Sequence, residues 1–184
     1  MQKVVLLGLA LVILTVPSLA QVPGGNIFLG YSYARTQLTG PDASQGVNGW
    51  NGSLEGKIFP FVGIVADLSA HYGSLGTSCP AIFPGSCPPG DQRLYSALFG
   101  PRLSVSVGRI RPFAHALFGV SHASLTASGF SSTDTSFASA YGGGVDLKLV
   151  PLLGWRIQVD DLHTRLYNGT QNNLRVSTGI VFRF

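Results

Sequence analysis

A two-residue alternation of apolar and polar side chains recurs along this chain from Asn26 to Phe184. Near the C-terminus, Leu174, Val176, Thr178, Ile180, Phe182 and Phe184 alternate with Arg175, Ser177, Gly179, Val181 and Arg183. Successive side chains of a β-strand point to opposite faces, so one face of such a segment is greasy and the other wet. Further upstream, Val62, Ile64, Ala66, Leu68, Ala70 and Tyr72 oppose Gly63, Asp67, Ser69 and His71. Tyr95, Ala97, Phe99, Leu103, Val105 and Val107 oppose Ser96, Gly100, Arg102, Ser104 and Ser106. Phe137, Tyr141, Val145, Leu147 and Leu149 oppose Ala138, Ala140, Gly142, Gly144, Asp146 and Lys148, and Trp50 and Leu54 oppose Asn51, Ser53, Glu55 and Lys57. A helical period would not separate these sets.

Eight extended segments follow from this pattern: Asn26 to Leu38, Val47 to Lys57, Phe61 to Ser74, Gln92 to Val107, Phe113 to Ala127, Ser136 to Leu149, Trp155 to Tyr167 and Asn173 to Phe184. Their connections alternate in length. Ile58-Phe59-Pro60, Gly108 to Pro112 and Val150 to Gly154 are short, whereas Thr39 to Gly46, Leu75 to Asp91 and Ser128 to Thr135 are long and more polar. Asn168 to Asn172 is the short member of the second set. Tight turns at one end and long loops at the other suit a strand-by-strand barrel in a membrane.

A soluble ligand-binding barrel alternates as well, so the period does not say which face is inside. Side-chain size decides. The apolar face carries most of the bulky groups, while the polar face is mainly Gly, Ser and Ala with isolated charges. An eight-stranded lumen is just wide enough for side chains to fill it, whereas a solvated surface would be rich in Lys and Glu. The polar face is therefore expected to point inward. Composition agrees: 45% of residues are hydrophobic and only 11% charged, against roughly 25% charged in soluble domains. The 24 glycines disfavour helix. The net charge of +4 is small and scattered, which argues against a nucleic-acid partner.

At the N-terminus, Lys3 precedes an apolar run from Val4 to Val16 and then Pro17-Ser18-Leu19-Ala20. The run is short for a spanning helix, which needs about 20 apolar residues. The pattern reads as a secretory signal cut between Ala20 and Gln21. Residues 1–20 are then a signal peptide and residues 21–184 a single barrel domain.

The segments "GYSYAR", "GWNGSLEGKIFPFVGIVADLSAHYG" and "WRIQVDDLHTRLYNGTQNNLRVSTGIVFRF", together with the signal, resemble the small outer-membrane β-barrel family typified by the OmpA transmembrane domain and opacity-type proteins. The resemblance implies an all-β, eight-stranded antiparallel up-and-down transmembrane barrel with both termini in the periplasm. It also implies that Phe182 and Phe184 form the terminal signal read by the barrel-assembly machinery. Expected partners are outer-membrane lipid and lipopolysaccharide, with an extracellular ligand at the loop of residues 75–91 and a monomeric barrel. No second domain follows the barrel segments, so no peptidoglycan-binding role carries over.

Glu55, Asp67, Asp146 and Asp160 are expected to meet Lys57, Arg102, Lys148, Arg156, Arg175 and Arg183 inside the lumen. An unpaired buried ion costs several kcal/mol, so charges in so narrow a space must find partners or water. A plug of ion pairs fits that width; a gated ion path is the competing reading. Cys79 and Cys87 flank "PAIFPGS" in the longest loop and would form a disulfide in an oxidising exterior. Asp161 falls where an outward aromatic would be expected, or else a bulge turns it inward. His122-Ala123-Ser124 has the H-x-S spacing of outer-leaflet lipid A deacylases, with His163 near the same rim. Leu125 follows where that motif has Asn, and no acid is evidently placed to orient the histidine. The expectation is a non-enzymatic barrel without cofactor or metal, serving envelope integrity or surface interaction, with a narrow porin-like channel and the deacylase as alternatives.

Overall fold

The computed structural model describes residues 24–36, 45–75, 90–127, 130–165 and 171–184. Eight strands form one closed antiparallel barrel in chain order. They are β1 Gly25–Thr36, β2 Gln45–Lys57, β3 Val62–Leu75, β4 Gly90–Ser104, β5 Ile110–Ala127, β6 Phe130–Lys148, β7 Leu153–Thr164 and β8 Gln171–Arg183. Closure is by β1 against β8, where Asn26 meets Arg183 and Arg35 meets Leu174. Each strand thereby pairs with two neighbours in a closed sheet, the condition for crossing hydrocarbon with strands.

The register shows how strongly the wall is sheared. From Ala34, successive ladder partners are Arg175, Asp160, Gly142, His115, Arg102, Gly63 and Lys57. The Lys57 amide then donates to the Gly24 carbonyl at 3.2 Å, so the circuit that left residue 34 returns at residue 24, a stagger of ten. Strands tilted by such a stagger leave a lumen filled by side chains.

The wall is greasy outside and polar inside. β4 alternates buried and exposed without a break from Gly90 to Ser104. Its buried set includes Gln92, Ser96, Arg102 and Ser104, and its exposed set includes Tyr95, Leu103 and Phe99, the last 59% exposed. The same holds for Ile157 and Val159 on β7 and for Ile180 and Phe182 on β8. In water, a continuous apolar belt of this extent would drive association; in a bilayer it is the required surface. Aromatic rings mark both borders. Phe59, Phe61, Trp155, Phe182 and Phe184 are exposed at the short-turn end, and Tyr33, Trp50, Tyr72, Tyr95 and Phe137 toward the long-loop end.

Short turns close one end tightly. Ile58 and Phe59 both donate to the Val62 carbonyl at 3.0 Å. The β6–β7 turn repeats that geometry, with Leu149 and Val150 donating to Leu153 at 3.0 and 3.1 Å. Between β4 and β5, Val107 and Ile110 bridge around Gly108, whose φ of 62° lies in the left-handed region that glycine alone enters cheaply.

The two rims differ. At the short-turn end all strands finish nearly level, but at the other end β5 and β6 continue upward together. The run of Ser128 to Thr135, expected as a loop, is mostly strand: Ser131 pairs with Thr126 and Thr135 with His122. Ser and Thr read as loop residues by polarity, yet they fit an exposed ladder where no hydrocarbon demands greasy side chains. Pairing of β6 with β7 begins only at Ala138. Among the described residues, positions 130–137 therefore rest on β5 alone, as a ledge above β7. The signal segment, the Ala20–Gln21 cleavage point and Cys79 and Cys87 lie outside the described residues.

Candidate functional site

Strand parity and shear together bring the inward charges into one connected layer. Near the short-turn end, Glu55 on β2 accepts from Asn26 Nδ2 at 2.8 Å, Arg102 Nη1 at 3.1 Å and Arg111 Nη2 at 2.7 Å. Asp146 on β6 faces Arg156 on β7 across the ladder. Arg156 grips it with two bonds, Nε to Oδ1 at 2.6 Å and Nη2 to Oδ2 at 3.0 Å. The same guanidinium reaches Asn26 Oδ1 at 3.1 Å and Ser53 Oγ at 3.5 Å. Forked pairs of this kind combine charge with fixed geometry.

Deeper in the lumen, Arg175 on β8 is the hub. It donates to Asp160 Oδ2 through Nε at 2.9 Å and Nη2 at 2.7 Å, and to Asp67 Oδ1 at 2.8 Å and Ser69 Oγ at 3.1 Å through Nη1. Asp160 also accepts from Gln158 Nε2 at 2.9 Å. Asn51 donates to Asp67 Oδ2 at 2.9 Å. A Cβ at Gly142, opposite Asp160 on the ladder, would collide with the Asp160 carboxylate, so glycine makes room for the acid.

His115 joins the two groups. Arg102 Nη2 lies 3.1 Å from its Nδ1, and its Nε2 lies 2.7 Å from Asp160 Oδ1. A guanidinium only donates, so Nδ1 must accept and the proton sits on Nε2, pointing at the carboxylate. The Phe113 ring sits under both guanidinia, 4.4 Å from Arg102 and 4.7 Å from Arg156, and Phe28 is 5.1 Å from Arg156. Such cation–π contacts add attraction where water is excluded.

Glu55, Asp67, Asp146 and Asp160 are wholly buried, as are Arg102, Arg156 and Arg175, and Arg111 nearly so. Four acids thus face four arginines, and the layer is close to electrically balanced. Toward the long-loop end the filling changes character. Val65, Leu94, Leu98, Leu117, Ala123, Ala138, Ala140 and Leu162 pack as an apolar cluster. Beside it run hydroxyl contacts: Ser32 to His71 Nε2 at 2.9 Å, Ser32 to Ser177 at 2.9 Å and Ser96 to Ser121 at 2.8 Å.

The expected lumen charges do not all meet. Glu55, Asp67, Arg102, Asp146, Arg156, Asp160 and Arg175 converge. Arg183 sits at the mouth, 3.7 Å from Asp146 Oδ2 and 19% exposed. Lys57 is half-buried and turns its Nζ to the Pro60 carbonyl at 3.0 Å. Lys148 is a correction: it has inward parity but lies exposed at the rim, where the lumen opens and a long flexible ammonium stays hydrated. Two central members, Arg111 and His115, were not anticipated, nor were the inward leucines Leu94 and Leu98. Asp161 is exposed on the outer face, and β7 alternates without a bulge around it. His122 also faces outward, and its described partner is the Thr135 hydroxyl at 2.7 Å, not a carboxylate. Among the described residues no three His, Cys, Asp or Glu side chains converge as metal ligands.

A closed eight-stranded antiparallel barrel is the fold of solved small outer-membrane barrels. The structural comparisons place it there. The chain is similar to Ail, the attachment invasion locus protein of Yersinia pestis, at 18% identity and a TM-score of 0.61 over 88% of this chain and 98% of that one. Neisserial surface protein A (NspA) superposes with a TM-score of 0.68 at 14% identity, covering 87% and 97% of the two chains. OprG from Pseudomonas aeruginosa gives 0.51 at 14% identity over 88% and 95%. No protein-family model matches the sequence, and neither does any curated protein.

Proposed function

We propose that this chain is an outer-membrane barrel with an envelope and surface-interaction role, rather than a conduit or an enzyme. The ledge carries this reading: β5 and β6 rise above β7 and present Ser131, Ser132, Thr133 and Thr135 as exposed positions beyond the apolar belt. A polar ribbon standing clear of the membrane is a place for contact with molecules outside. The connection between Leu75 and Gly90, in which Cys79 and Cys87 would be joined, leaves the barrel at the same end. In this reading the signal is cut at Ala20–Gln21, both termini are periplasmic, the barrel is monomeric, and Phe182 and Phe184 guide assembly. The Yersinia neighbour is named for attachment and invasion, and that supports the same role here.

The lumen supports a plug. Hydrated ions need a wetted path, and the charges that would line one are paired with each other and closed to water. The test is a shortened hairpin, with residues 123–134 replaced by a two-residue turn. Expected are an intact heat-modifiable barrel and reduced adherence of expressing cells to epithelial monolayers. Unchanged adherence, or steady conductance of the intact protein in planar bilayers, would count against this function.

A further inference from the structure

Acids and arginines balance in the middle of the lumen, yet cations continue below them toward the short turns. Glu55 and Asp146 are the described acids at that end, and Arg102, Arg111 and Arg156 already hold them. Lys57, Lys148 and Arg183 are left over, each at the last position of its strand. Arg183 Nη2 stops 3.7 Å from Asp146 Oδ2, too far for a hydrogen bond. Its Nε and Nη2 are closed to solvent without a partner, and so is Arg111 Nε. Lys57 uses one of its three N–H groups on the Pro60 carbonyl at 3.0 Å. Like charges crowd here: Arg111 and Arg183 both repel Lys57, and Arg111 repels Arg183.

Glycines keep the space beside these cations open. β1 starts between Lys57 and Arg183. The Lys57 amide donates to the Gly24 carbonyl at 3.2 Å, and the Phe184 amide to the Gly25 carbonyl at 3.1 Å. A Cβ at Gly24 would meet only the Phe184 carbonyl, at 3.4 Å. On β7, a Cβ at Gly154 would come 3.3 Å from Arg183 Nη2, so the guanidinium lies against bare backbone. Two strand spacings put the backbones of Lys57 and Arg183 roughly 10 Å apart. Two long side chains can close that gap on one shared anion. A cleft of one sign with low-dielectric walls concentrates its field on such a guest.

We infer that the short-turn mouth of the lumen binds a small soluble oxyanion of the phosphate class, held between Lys57 and Arg183 with Arg111 above and Lys148 at the edge. The paired N–H groups of a guanidinium match phosphate oxygens, whereas chloride would use the charge but not the fork. A bilayer headgroup carries the same phosphate. Phe59, Phe182 and Phe184, however, stand exposed on the outer side of this rim, and the cations lie on its inner side. The site is the same whichever way the barrel crosses the membrane.

The experiment titrates inorganic phosphate into the barrel refolded in nonionic detergent, at constant ionic strength set with sodium chloride, and reads binding by calorimetry. Expected is saturable binding that weakens at least about tenfold in Lys57→Gln/Arg183→Gln, as loss of two charge-assisted contacts requires. Gly24→Asp leaves every cation in place and sets a tethered carboxylate between Lys57 and Arg183; it should abolish binding while the barrel stays heat-modifiable. Arg93→Gln, at an exposed arginine near the other end of β4, should bind as the parent does. The same titration in nanodiscs of phosphatidylcholine, with and without phosphatidylglycerol, separates the two sources of phosphate, and equal affinity is expected in both. Absence of saturable binding, parental affinity in the double variant or in Gly24→Asp, or displacement of phosphate by phosphatidylglycerol would each overturn the inference.

Discussion

Asp160 and Asp161 are adjacent in the chain and meet opposite surroundings. Asp160 points into the lumen, is closed to solvent, and takes hydrogen bonds from Arg175, His115 and Gln158. Asp161 points outward, is half-exposed, and among the described residues has one ionic neighbour, His163 at 3.4 Å. The backbone alternation of a strand is enough to separate them. Their difference shows how one barrel wall uses the same chemistry twice: paired and closed to bulk solvent inside, where it fixes the packing, and half-exposed outside.

That contrast is tested most strongly by removing the inner acid. Asp160→Ala strands Arg175 and His115 in a space that water does not reach. The expected loss is about 3–5 kcal/mol, the range for breaking one side of a buried ion pair. Urea unfolding of the refolded barrel in lipid vesicles measures it. A loss no larger than that of Asp161→Ala would mean that water enters the lumen and the contrast is false.

The Asp146–Arg156 pair sharpens the same point. Arg156→Met alone should destabilise by a similar few kcal/mol, because Asp146 then loses its forked partner and, among the described ion pairs, keeps the longer contact with Arg183 at 3.7 Å. The double variant Asp146→Leu/Arg156→Met should recover most of that loss, since an apolar replacement of both partners removes the desolvation cost together with the attraction. Recovery read in the same unfolding assay separates a plug that stabilises by filling space from one that stabilises by charge.

Gly142→Ala is expected to cost about 1–3 kcal/mol, the range for overpacking, because the new methyl meets the Asp160 carboxylate and the Val159 carbonyl. A parallel substitution on the ledge, Ser131→Ala, should change stability by no more than about 0.5 kcal/mol. Similar costs at both sites would show that the inner face is as yielding as the ledge.

These variants also mark what the sequence could reveal. The alternation around Asp67, Arg102, Asp146 and Arg175 told which side each residue faces, because parity is local. It said nothing of depth, and so Lys148 was expected inside although its side chain hangs at the open rim. Arg111 was hidden by the turn-like run from Gly108 to Pro112. In the structure β5 already begins at Ile110, and Pro112 sits with its side chain outward, opposite Val145. The bond from Arg102 to His115 to Asp160 depends on the stagger of ten around the wall, a property of the closed barrel that no single segment displays. Leu94 and Leu98 escaped notice because inward apolar residues look like lapses in the polar face until the lumen is seen to be filled on that side.

The smallest expected effect concerns salt. Exposed ion pairs weaken as ionic strength rises, whereas pairs sealed from water are screened little. Asp161→Asn should therefore shift stability within about 0.5 kcal/mol at low salt, and that shift should vanish near 1 M salt, where the screening length is about 3 Å. The Asp160→Ala deficit should persist across the same range. Unfolding curves at both ionic strengths distinguish the cases: a salt-independent Asp161 effect would place that carboxylate in a sealed contact, and a salt-sensitive Asp160 effect would open the lumen to water.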